Sequence, residues 1–210
     1  MSPELHINLA NLKSNIQFFQ RIIKTNTELS AVVKSDAYGL GIAKIVPEMQ
    51  RYGVRSFFTA TISEAIKIRS SSRDSEIFTL NGFDFLKSNL YREHNITPII
   101  NNILEAQKFI EIFNQTQKVA IQLNTGMNRL GLDKQSLLDN IDIVKSLPLT
   151  LILSHLACAD DTSNKENKVQ KDLFIKLCKL LPNTRQSISA SHGTLLGNEF
   201  HFDMVRPGIG

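Results

Sequence analysis

The stretch AVVKSDAYGLG, Ala31 to Gly41, ends an apolar run on one lysine and follows it with a short, polar, glycine-punctuated segment. A lysine at the inner end of an apolar strand is costly if it stays charged and unpaired, and desolvation lowers its pKa. An amine prepared in this way attacks carbonyl groups to form a Schiff base, and pyridoxal 5'-phosphate is the commonest cofactor for such a lysine. Lys34 is therefore the first candidate for chemistry. The competing explanation is structural: a lysine that snorkels to solvent, or one that pairs with Asp36. Other chemically capable side chains stand at or near the ends of later apolar runs. They are Arg129 in MNR, His155 in SHLA, Ser191 in SASHG, and Arg206 with Gly208 in VRPG. Taken singly, these also read as a surface ion-pair member, a core histidine, a loop serine and a turn.

The elements that must position these residues follow a regular beat. Eight strand-like runs occupy 29–35, 56–61, 76–82, 96–101, 118–126, 149–157, 185–191 and 203–209. Between them, patterns with a 3.6-residue period predict helices over 42–52, 63–70, 85–93, 103–114, 134–146 and 164–181. Strand, helix, strand is the pattern of a parallel sheet, because parallel neighbours need a crossover connection. Eight such units predict an α/β fold, a (β/α)8 TIM-type barrel, whose active site gathers at the C-terminal strand ends. Those ends carry Lys34, Tyr38, Arg129, His155, Ser191, Arg206 and Gly208, so the candidates should converge. Residues 1–28 are expected to supply a strand-like HINL and an amphipathic helix leading into the barrel of residues 29–210. The eighth strand ends where the sequence ends, so the last helix is expected to be absent and strand eight poorly covered.

A chain of 210 residues that is 42% hydrophobic and 21% charged has the composition of an ordinary globular domain, which argues against disorder. The net charge of +4 is small. The densest lysine group, Lys165 to Lys179, alternates with Val169, Leu173, Phe174, Leu177 and Leu180, as a solvated helix face does, and no nucleic-acid motif accompanies it. Cys158 and Cys178 lack metal-ligand spacing and fit a reducing compartment. The start of the chain has no signal-peptide pattern, and no apolar run approaches the about 20 residues of a membrane span. A cytoplasmic location without membrane or nucleic-acid partners is expected.

AVVKSDAYGLG resembles the lysine motif of alanine racemases, and LNTGMNRLG, SHLACADD, SASHG and DMVRPGIG follow in that family's order. The resemblance runs from about Leu5 to the last residue. It implies that Lys34 holds pyridoxal 5'-phosphate covalently and acts as one of two proton-transferring bases. Tyr38, Ser191 and the backbone around Gly208 and Ile209 would bind the phosphate, His155 would lie near the cofactor ring, and Arg129 would orient the substrate carboxylate. Arg206 would face the pyridine nitrogen and leave it unprotonated, which restrains side reactions such as transamination. The implied reaction interconverts L- and D-alanine for peptidoglycan. The second base would be a tyrosine from a C-terminal, mostly β domain, offered across a homodimer, and this sequence ends before that domain. Little racemase activity is thus expected of the chain alone. Two departures affect the site. Gln122 and Asn124 replace a lysine, which can be carbamylated to hold the arginine, and an aspartate, and Ala190 replaces an asparagine. A non-enzymatic single-domain cofactor binder and a degenerate remnant are the alternatives.

Overall fold

The computed structural model describes residues 4–208. Strands are β1 (Glu28–Leu29), β2 (Ala31–Val32), β3 (Ser56–Thr59), β4 (Glu76–Thr79), β5 (Thr97–Ile100), β6 (Val119–Gln122), β7 (Leu149–Leu153), β8 (Arg185–Ser187) and β9 (Met204–Val205). β2 to β8 form one parallel sheet in sequential order, and β1 pairs in parallel with β9. Ser30 alone separates β1 from β2, so the two make a single stave. The ring closes through β9. On one side the amides of Glu28, Ser30 and Val32 donate to the carbonyls of Asp203, Val205 and Pro207 at 2.9, 3.0 and 2.8 Å. On the other side the amides of Asp203 and Arg206 donate to the carbonyls of Gln186 and Ser189 at 3.1 and 2.8 Å. The result is the eight-staved α/β barrel that the strand count predicts.

Strand residues alternate between two apolar environments, which explains why the runs are continuously apolar. Phe58, Phe78, Ile99, Ala120, Leu151 and Met204 fill the barrel interior. The rings of Phe58 and Phe78 stack there at 4.7 Å. Their neighbours Phe57, Ile77, Ile100, Ile121 and Ile152 belong instead to the outer core under the helices. At the N-terminal mouth, Arg185 pairs with Glu28 at 3.1 Å and Glu76 at 2.8 Å, tying β8 to β1 and β4.

The helices begin where capping residues allow. Asn8 caps the helix Leu9–Ile22 through the amides of Ala10 and Asn11, at 2.9 and 3.2 Å. Its inner face buries Ile16 and Phe19, worth about 1.5–3 kcal/mol each. Thr61 and Glu64 form a reciprocal capping box for Ile62–Ser71, satisfying amides that the first helical turn leaves free.

Several expectations are corrected. HINL makes no strand, because Asn8 and Leu9 are taken into the cap and first turn of the opening helix. The helix expected over 134–146 is two, Lys134–Asp139 and Ile141–Lys145, which meet at a non-helical Asn140. On Glu166–Cys178, Phe174 and Leu177 are buried as expected, but Val169 is 54% exposed and Gln170 takes the inner position. Strand eight is not bare either: Met204 and Val205 are both fully buried.

Candidate functional site

Lys34 leaves the barrel into an unusual turn. Ser35, Asp36, Ala37 and Tyr38 all have φ between 53° and 55°, so the chain makes one left-handed helical turn of non-glycine residues. Left-handed backbone costs about 1–2 kcal/mol per residue, and the surrounding hydrogen bonds must offset that. The amides of Ala37 and Gly39 donate to the carbonyls of Val33 and Ser35, both at 2.9 Å, and Gly41 donates to Asp36 at 2.8 Å. The Ser35 amide donates to Glu64 Oε1 at 2.7 Å. The Asp36 carboxylate accepts the Ile42 amide at 3.1 Å. Asp36 therefore starts the next helix, and among the described residues Lys34 has no ion pair.

A cavity of about 490 Å³ opens at the C-terminal ends of the strands. Lys34, Tyr38, Arg129, His155, Ser191, Arg206 and Gly208 all line it. Ile209 lies outside the described residues. The wall also includes Gln122 and His192, and Asn81, which sequence reasoning did not place in the site. Among the described residues no lining residue is acidic, so Lys34, Arg129 and Arg206 give the cavity a strongly positive character.

Arg206 is 3% exposed. Its guanidinium donates to the Ser154 carbonyl at 2.6 Å and to the Ser187 hydroxyl, and lies 5.7 Å from the centroid of the Phe58 ring. No carboxylate pairs with it among the described residues, and burial pushes it down to about 9. His155 is pushed down to about 4, first by burial and then by the positive charges of Arg206, Arg129 and Lys34. It is a neutral imidazole near pH 7. Burial also raises the Tyr38 phenol.

Ser191 is buried, and its hydroxyl accepts the Gly208 amide at 3.1 Å. His192, the next residue, is exposed at the rim. Gly208 is held to glycine by space: a β-carbon there would lie 2.5 Å from the Tyr38 hydroxyl and 3.0 Å from Val32 Cβ. Tyr38, Ser191 and Gly208 thus meet at one corner of the cavity.

Arg129 rides on the loop after β6. Asn124 organises that loop by accepting the amides of Gly126 and Asn128 at 3.1 and 3.0 Å. Gln122 donates to the Leu130 carbonyl at 3.3 Å, which fixes the backbone beside Arg129. Gly131 has φ +101°, and a β-carbon there would lie 2.8 Å from the Gln122 carbonyl oxygen. Two neutral amides, Gln122 and Asn124, thus hold the loop through hydrogen bonds.

A family model described as alanine racemase, N-terminal domain, matches residues 7–210. Alanine racemases of Rickettsia akari and Rickettsia canadensis are 35% and 36% identical over 211 residues, covering 97% of this chain and 59% of each relative. The crystal structure of alanine racemase from Bartonella henselae with covalently bound pyridoxal phosphate superposes with a TM-score of 0.90 at 34% identity, covering 97% of this chain and 61% of that one. The biosynthetic alanine racemase of Pseudomonas aeruginosa gives 0.87 at 26% identity, over 96% of this chain and 57% of that one. The chain therefore spans less than two thirds of the length of these relatives. No helix among the described residues is long and apolar enough to cross a membrane.

Proposed function

The chain belongs to the alanine racemase N-terminal domain family, and on that premise we propose that it forms the pyridoxal 5'-phosphate half of an alanine racemase site, anchored on Lys34. The observation that carries this reading is the cavity's charge. Among the described residues three cations and no carboxylate line it, and one of the cations, Arg206, is buried without a counter-ion. Uncompensated buried charge is expensive, and an anionic ligand with a ring acceptor for Arg206 would compensate it.

When bound, the cofactor supplies an aldehyde carbon for an amine and an electron-withdrawing ring that acidifies the substrate's α-hydrogen. The chain's own residues do the rest. Lys34 would hold the cofactor through Nζ, and its amine would take or return the proton at the substrate's α-carbon. The hydroxyls of Tyr38 and Ser191 would hold the phosphate as donors. Arg206 would face the ring nitrogen as a hydrogen-bond donor that does not yield its proton, which would limit electron withdrawal by the ring. The Arg129 fork matches a carboxylate. His155, being neutral, adds no fourth charge beside the three cations.

Inversion needs a base on each face of the α-carbon. The resemblance to alanine racemases implies that the second is a tyrosine of a further domain offered across a dimer, and His155, at about 4, is too weak a base to replace it. The test is exchange in deuterium oxide with added cofactor. The 210-residue chain should exchange the α-hydrogen of one alanine enantiomer with retention, and form the other enantiomer much more slowly. Efficient racemisation in both directions would overturn the one-base assignment, and absence of any exchange would overturn the cofactor reading.

A further inference from the structure

We propose that Glu64 is a positioning residue of this site: its Oε1 holds the Ser35 amide and so fixes the left-handed turn that aims Lys34 and Tyr38. The inference rests on the reading of the cavity given above. A capping box asks a glutamate for one oxygen, and Glu64 Oε2 fills that role by accepting the amides of Ala60 and Thr61 at 2.8 and 3.3 Å. The other oxygen is left over for the cap. It reaches across to the neighbouring stave and accepts the Ser35 amide at 2.7 Å, 29 residues away in sequence.

Ser35 is where the left-handed turn begins, directly after Lys34. Four non-glycine residues in that conformation do not hold it by local preference, so the anchor at the first amide decides whether the turn persists. Asp36 secures the far end through the Ile42 amide. Between the two anchors, the turn sets the exit of the Lys34 side chain and the placing of the Tyr38 ring against Gly208. Glu105 repeats the device two staves on. Its Oε2 accepts the amides of Asn101 and Phe83 at 2.9 and 3.2 Å, but those amides carry no cofactor candidate. What distinguishes Glu64 is the residue next to its target.

Glu64→Gln separates the two roles, because a carboxamide has one acceptor oxygen where three amides engage two. Thr61→Ala is the control: it removes the reciprocal half of the cap and leaves the bond to Ser35. In the cofactor-free chain, hydrogen exchange of the Ser35 amide should accelerate about tenfold in Glu64→Gln, the change that about 1.4 kcal/mol produces, and stay near the parent rate in Thr61→Ala. Pyridoxal 5'-phosphate should bind Glu64→Gln about tenfold more weakly, and Thr61→Ala as it binds the parent. Equal losses in both variants, tracking their melting temperatures, would show a helix cap and nothing more. Unchanged exchange and affinity in Glu64→Gln would also overturn the proposal. A parent chain that takes no cofactor would refute the functional reading alone, since the exchange contrast at Ser35 decides separately whether Glu64 holds the turn.

Discussion

Replacing Arg206 by methionine should make the cofactor-free chain more stable while weakening its hold on the cofactor. Methionine keeps similar length without the charge. A guanidinium lowered by burial to about 9 carries a burial penalty of about 5 kcal/mol, at about 1.36 kcal/mol per pH unit. That penalty is fully present below about pH 9, where the group is charged both folded and unfolded, and eases only as pH rises above that. The substitution removes the penalty but deprives the Ser154 carbonyl of its donor, at about 1–3 kcal/mol. The Ser187 hydroxyl keeps its acceptor, the Met204 carbonyl, at 2.5 Å. The net expectation is a gain of about 2–4 kcal/mol, within the range seen when buried charges give way to apolar residues. Urea unfolding near pH 7 reads it as a higher midpoint with an unchanged slope. With cofactor at about 100 times the parent's dissociation constant, the parent should gain about 2.7 kcal/mol and the variant much less. A cofactor-free variant destabilised by several kcal/mol would mean that Arg206 is a structural keystone, and the charge argument for the site would fail.

Three further outcomes follow from the same geometry. Because His155 titrates at about 4 when folded and at 6.5 ordinarily, the unfolded chain binds the extra proton between those values. Stability should therefore fall by about 3 kcal/mol as pH drops through that window, and His155→Gln should remove that part of the slope in urea midpoints measured against pH. Gly208→Ala forces a β-carbon against the Tyr38 hydroxyl and should weaken cofactor binding about tenfold with the circular dichroism spectrum unchanged; unaltered affinity would remove that corner from the phosphate site. Gly131→Ala meets both a positive φ and the Gln122 carbonyl, and should lower stability by about 2–4 kcal/mol, read by thermal unfolding.

The barrel was legible because both faces of each strand are buried, so Phe57 with Phe58 and Ile99 with Ile100 appear as unbroken apolar pairs bounded by polar turns. The cavity residues were legible for a different reason. Lys34, Arg129, His155 and Arg206 are chemically expensive side chains standing at strand ends, and ordered motifs tie them together. The turn after Lys34 was not legible, since nothing in SDAY prefers left-handed backbone and its main anchor, Glu64, lies on the following stave. Asn81 escaped notice because a neutral polar residue beside a strand end carries no local signal of what it faces. HINL misled because its alternation is also that of an N-cap followed by a helix whose first residue is apolar.

The central claim is that Lys34 is the amine that holds the cofactor. Adding pyridoxal 5'-phosphate to the 210-residue chain, reducing with borohydride and mapping the modified residue by mass spectrometry tests it directly. A single stoichiometric modification at Lys34, absent from Lys34→Ala, is expected. No modification, or one scattered over the lysines of Lys165 to Lys179, would contradict it.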